Sequence, residues 1–255
     1  MRHNFVNDIG DYAKYALLRA LADNGEVPVR LGVIWYLTDH AEQTSNGRRR
    51  AHLTHAGWDS LDPDLLATMR LIESSVPDAS GLSIRLIENS DILPPGTVYF
   101  SEALPSRQGN TRQRVADRVA WFERARSAVE HCDLVFLDPD NGLEVASVPL
   151  SSPMAVKYAS FFELNQLLDA HGAVVVYQHG DRTPWPAQRA KVIRQVTAAA
   201  ERPLKIRSLR LGAFGARAFF CITDRPELAR VVDVALLRLG QRAAGWDKGA
   251  YLLLE

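Results

Sequence analysis

Three short, almost wholly apolar runs constrain this chain most: Leu31–Leu37 (LGVIWYL), Asp133–Leu137 (DLVFL) and Ala173–Tyr177 (AVVVY). None alternates polar with apolar residues, so each must be covered on both faces. Strands of that kind belong to a largely parallel sheet with helices packed on either side.

The segments between them carry helical signals. Asp11–Ala22 places Lys14, Leu17, Leu18 and Leu21 on one face, with Asp11 as the expected N-cap. Pro63–Ser75, Arg112–Val129, Phe161–Leu168, Pro186–Ala200 and Arg225–Leu239 also read as helices. Leu82–Glu88 and Thr97–Phe100 read as further strands, and Thr38–Trp58 as irregular chain with a turn at Asn46-Gly47. Lys205–Leu211 and Ala216–Ile222 read as an antiparallel pair joined by a turn at Gly212–Gly215. The expectation is one α/β domain over residues 1–255. It has three layers and a mostly parallel sheet ending in an antiparallel hairpin, as is typical of the Rossmann-like methyltransferase architecture.

Charge gives no global steer. Lys plus Arg and Asp plus Glu number 30 each, so any nucleic acid or nucleotide must be met by a local patch. Arg107, Arg112, Arg114, Arg118, Arg124 and Arg126 form one such concentration, although Asp117, Glu123 and Glu130 interleave with it. Arg48–Arg50 with His52 and His55 form a second. Cys132 and Cys221 read as buried thiols. The first residues lack a signal-peptide core, and no run is long enough to span a membrane; the expected compartment is the cytoplasm.

Ligands of open α/β sheets bind beyond the carboxyl ends of the strands. Asp138-Pro139-Asp140-Asn141-Gly142-Leu143-Glu144 follows the central strand in that place. Two chemistries suit it. An Asp-Pro turn can present oxygen acceptors to an amine that is to be methylated. Alternatively, Asp138, Asp140 and Glu144 can hold Mg²⁺ or Mn²⁺ for phosphodiester hydrolysis. Asn141 serves either, and the plainest reading is a polar turn capped by Asp138.

The N-terminus reads Arg2-His3-x-Phe5 and then Gly10-Asp11-x-x-Lys14. Together with the Asp-Pro turn, this resembles the bacterial large-subunit ribosomal RNA adenine methyltransferases of the RlmJ type. That family opens with an Arg-His-x-Phe segment and an Asp-x-x-Lys helix and carries Asp-Pro-Pro-Tyr after a central strand. Here Asp140-Asn141 stands in place of Pro-Tyr, and Leu37–Gln43 in place of a glycine-rich turn. The resemblance implies that His3 and Lys14 reach a substrate nucleotide and that Asp138 faces its exocyclic amine. It implies S-adenosylmethionine around Thr38 to His40, with Glu88 at the end of the next strand binding the cofactor ribose.

His179 follows the third apolar run and reads as a general base, a metal ligand or a hydrogen-bonded loop residue. Lys14 reads either as a snorkelling lysine or as an ammonium held by Asp8 and Asp11. Lys157-Tyr158 reads as a surface pair. Three functions follow: a methyltransferase-like enzyme, a metal-dependent nuclease, or a non-catalytic nucleotide-binding module.

Overall fold

The computed structural model describes residues 2–25, 27–38, 49–54, 57–77, 81–105, 108–212, 217–244 and 252–254. Asp8, and not Asp11, caps the first helix α1 (Ile9–Ala22): its carboxylate accepts the Gly10 N–H. The chain then enters β1 (Leu31–Ile34), a short helix α2 (Ala51–Thr54), α3 (Pro63–Ser75) and α4 (Ile84–Glu88). The last of these replaces the strand expected over Leu82–Glu88. Leu82, Ile84 and Leu86 have period two, but Ile84 and Ile87 also share a helix face, and Ser83 caps that helix by accepting the Arg85 N–H. Short apolar segments do not distinguish the two periods.

Next come β2 (Val98–Phe100), the long α5 (Thr111–Ala128), β3 (Leu134–Leu137) and a two-residue strand β4 (Gly142–Leu143). A 3₁₀ turn over Pro153–Lys157 leads to β5 (Tyr158–Ala159). The rest is α6 (Phe161–His171), β6 (Ala173–His179), α7 (Trp185–Ala200), β7 (Lys205–Leu211), β8 (Arg217–Thr223), α8 (Pro226–Ala243) and β9 (Leu252–Leu254).

The main sheet runs β2-β1-β3-β6-β8-β7-β9. β2, β1, β3 and β6 are mutually parallel; β8 is antiparallel to β6 and to β7. The expected mostly parallel sheet with an antiparallel C-terminal hairpin is therefore present. The hairpin is folded back so that its second strand, β8, lies inside. β4 and β5 form a separate parallel pair.

The apolar strands are covered on both faces, as their composition demands. Leu31, Val33, Trp35, Leu134, Phe136, Val175 and Phe219 pack with α1, α3, α4 and α8. The alternate residues Ile34, Tyr36, Val135, Leu137, Val174, Val176 and Phe220 pack with α5, α6 and α7. Among the described residues no helix is long and apolar enough to cross a membrane.

From β1 the chain moves to β2 on one side, then returns to β3 on the other. The sheet therefore reverses direction between β1 and β3, which is where α/β sheets open a crevice at their carboxyl ends. The register Ile34↔Leu137 brings those two ends level.

Candidate functional site

Asp138 is the first residue beyond β3, and its N–H donates to Ile34 O at 3.2 Å, locking it to the end of β1. Lys14, from the second turn of α1, reaches across the strand ends. Its Nζ donates to Asp138 Oδ2 and to Asp11 Oδ1, both at 2.8 Å. The rings of Tyr15, Trp35 and Phe136 surround the ammonium, with centroids 5.4, 5.6 and 5.9 Å away. All three charged side chains are buried.

Asp11 is held from the other side. Asn7 adopts a left-handed conformation (φ 70°), and its N–H donates to Asp11 Oδ2 at 3.0 Å. Burial raises the Asp11 carboxyl from 3.8 to about 6, with Lys14 pulling it down and Asp138 pushing it up. Burial alone would lower the Lys14 ammonium; Asp11 and Asp138 outweigh it and hold the ammonium above its ordinary value. Asp8, the other expected partner of Lys14, instead pairs with Arg217 Nη2 at 2.6 Å.

The Asp140 carboxylate accepts from Arg2 Nε at 3.3 Å. Burial would raise it, but nearby cations, Arg2 and Lys157 among them, bring it below the ordinary range. Arg2 belongs to the Arg-His-x-Phe segment, yet nothing in the spacing assigns it a partner. Asn141 is fixed by its backbone: its N–H donates to Lys157 O (2.9 Å), and its carbonyl accepts from His179 N (3.0 Å). Gly142 has φ 116°, and a Cβ there would lie 2.3 Å from Gln178 Oε1, so the turn requires glycine.

His3 does not join this group. Its exposed ring lies at the start of α4, where Nδ1 accepts the Ile84 N–H at 3.3 Å. His179 lies on the rim, with Nδ1 3.1 Å from the Tyr177 hydroxyl. Burial, Arg217 and Arg49 lower its pKa. Tyr177, which meets His179 through its hydroxyl, packs its ring beside Phe219, whereas Phe100 packs on Trp121 on the opposite face of the sheet.

Thr38 lies beyond the end of β1, and its buried hydroxyl has no hydrogen-bond partner among the described residues. His40 lies outside the described residues. Glu88 closes α4 instead of a strand, and its Oε1 accepts from Trp35 Nε1 at 3.0 Å.

The three carboxylates named for a divalent cation do not converge. Asp138 is held by Lys14 and Asp140 by Arg2, while Glu144 accepts the Phe161 N–H at the start of α6. Among the described residues no group of three or more His, Cys, Asp or Glu side chains is placed to hold a metal.

The Arg-rich helix α5 is largely neutralised. Arg118 forms a buried bidentate pair with Glu163, Arg124 pairs with Glu102, and Arg126 with Glu123. Arg114 donates to the carbonyls of Gly109 and Ser151. In the second patch, Arg50 pairs with Glu73 and His52 is buried against Tyr12; Arg48 and His55 lie outside the described residues, as does Arg107.

No protein-family model and no curated protein matches the chain. Among solved structures it is similar to protein LPL1258 from Legionella pneumophila str. Philadelphia 1, of family-model DUF519. The identity is 10% and the TM-score 0.49, over 98% of this chain and 97% of that one.

Proposed function

We propose that this protein is a methyltransferase-like enzyme acting on a nucleobase or nucleotide amine within nucleic acid. The observation that carries the reading is the Lys14–Asp138 pair, buried at the point where the sheet reverses between β1 and β3. The strand order supports a Rossmann-like, methyltransferase-like sheet, because the reversed strand β8 lies between β6 and β7, which run the same way, with β9 antiparallel at the edge.

S-adenosylmethionine supplies, when bound, a methyl group activated by a sulfonium. The residues present fit it: Thr38 offers an unpartnered buried hydroxyl beyond the end of β1, and Glu88, at the end of α4, a carboxylate that accepts from Trp35. These two would hold its polar ends. The protein's own contribution is electrostatic and positional. Asp138 accepts hydrogen bonds from the substrate amine and orients its lone pair. Two carboxylates, Asp11 and Asp138, surround one ammonium, so the group favours the positive charge that grows on an alkylated nitrogen. Lys14 fixes Asp138 in place. The separation of Glu144 from Asp138 and Asp140 favours this chemistry over a divalent-cation hydrolase.

The test is transfer of a labelled methyl group from S-adenosylmethionine to bulk RNA. The wild-type protein is expected to label RNA, and Asp138→Asn to lose about a hundredfold in rate with cofactor affinity unchanged. Equal transfer by the variant would overturn the role given to Asp138.

A further inference from the structure

Most arginines of α5 are taken up by internal partners, whereas Arg49 of the second stretch is not, and it joins other polar groups around the Asp138 site. His179 and Lys157 flank Asn141 on either side through backbone hydrogen bonds of 3.0 and 2.9 Å. Across the sheet His179 is in register with Arg217. Arg217 pairs with Asp8 Oδ1, and the other Asp8 oxygen accepts the Arg49 N–H at 3.2 Å. Ile9 N donates to Arg49 O at 2.9 Å, which anchors Arg49 beside the start of α1. The result is a continuous arc, Arg49–Arg217–His179–Asn141–Lys157, along the carboxyl rim of the sheet. Arg49 and Arg217 act electrostatically on His179, and Lys157 on Asp140.

Two of these cations are uncommitted. The exposed Arg49 guanidinium and the half-buried Lys157 ammonium make no hydrogen bond or ion pair with the described residues. His179 is exposed and uses only Nδ1 internally.

From this we infer that the arc of Arg49, His179 and Lys157 is the phosphate-binding surface for a single-stranded nucleic acid, and that helix α5 is not. The inference rests on the nucleic-acid reading above. The three donors, two charged and one a neutral imidazole, are spread over three separate chain segments, which matches successive phosphates of a strand better than one phosphate of a mononucleotide. A guanidinium and an ammonium with no internal partner can replace the counterions condensed on a strand's phosphates. The buried Asp138 centre lies inside the arc, where an unstacked base could be presented to it.

The experiment is fluorescence anisotropy of a labelled single-stranded oligoribonucleotide, titrated over a range of salt, with Arg49→Ala/Lys157→Ala beside Arg112→Ala/Arg124→Ala. Loss of two phosphate contacts is expected to make the slope of log K against log salt shallower by about 1.4 for the rim variant. The α5 variant is expected to keep the wild-type slope. A wild-type slope in the rim variant, or a loss confined to the α5 variant, would overturn the inference. Circular dichroism melting of both variants separates loss of contacts from loss of fold. Rim-dependent binding without methyl transfer would leave this surface standing and remove the enzymatic reading. Methyl transfer that is indifferent to the rim variant would do the reverse.

Discussion

Lys14 and Asp138 are 124 positions apart in the chain, yet the Lys14 ammonium bonds Asp138 Oδ2 and Asp11 Oδ1 at the same 2.8 Å. One cation thus holds two carboxylates apart inside a largely apolar enclosure. Each partner would be strongly penalised there without the others.

Removing the cation exposes that dependence. Lys14→Met leaves two carboxylates facing each other without a counter-charge, and is expected to cost about 3–5 kcal/mol in urea denaturation. Adding Asp11→Asn is expected to restore part of the loss, because one of the two charges then disappears.

The same centre makes stability depend on pH. The Asp11 carboxyl titrates at about 6 in the folded chain against an ordinary 3.8. Between those values the folded state holds a proton that the unfolded state has released, so stability falls as pH rises through the window. The Asp11 contribution is on the order of 3 kcal/mol. Asp11→Asn is expected to flatten the pH dependence over that range; identical profiles for variant and wild type would contradict the assignment.

Much of this centre is legible in the sequence. Helical spacing places Lys14 on the apolar stripe of its helix, and the DLVFL run places Asp138 at a buried strand end. Asp11 follows as a neighbour one turn away. What spacing does not reveal is the exchange of partners across the sheet. Asp8 turns to Arg217 because β8 folds inside the hairpin, and Asp140 turns to Arg2 because the first residues cross the strand ends. The sequence places Glu88 at a strand end for a local reason: the segment around α4 satisfies both helix and strand periods, and the Ser83 cap decides between them. The arginines of α5 look available in the sequence because Glu102 and Glu163, which neutralise Arg124 and Arg118, come from outside the helix.

Those arginines give a contrast in burial. Arg118→Met removes the partner of the buried Glu163 and is expected to cost about 3–5 kcal/mol. Arg124→Ala breaks an exposed pair with Glu102 and is expected to leave stability nearly unchanged. Equal effects in thermal or urea melts would contradict the burial assigned to Arg118.

The turn after Asp138 has its own requirement. Gly142→Ala places a Cβ against Gln178, whose Nε2 donates to Asn141 O at 3.2 Å, and does so at a left-handed φ. The variant is expected to lose about 1–3 kcal/mol of stability. Methyl transfer is expected to fall more steeply than cofactor affinity, as separate kinetic and binding titrations would show.

The central claim is that the crevice between β1 and β3 binds S-adenosylmethionine next to Asp138. Isothermal titration of the cofactor into the wild-type protein and into Asp138→Asn tests it directly. Micromolar binding by both, about −8 kcal/mol, is the predicted result; absence of binding by a wild-type protein whose fold is verified by circular dichroism would contradict the account.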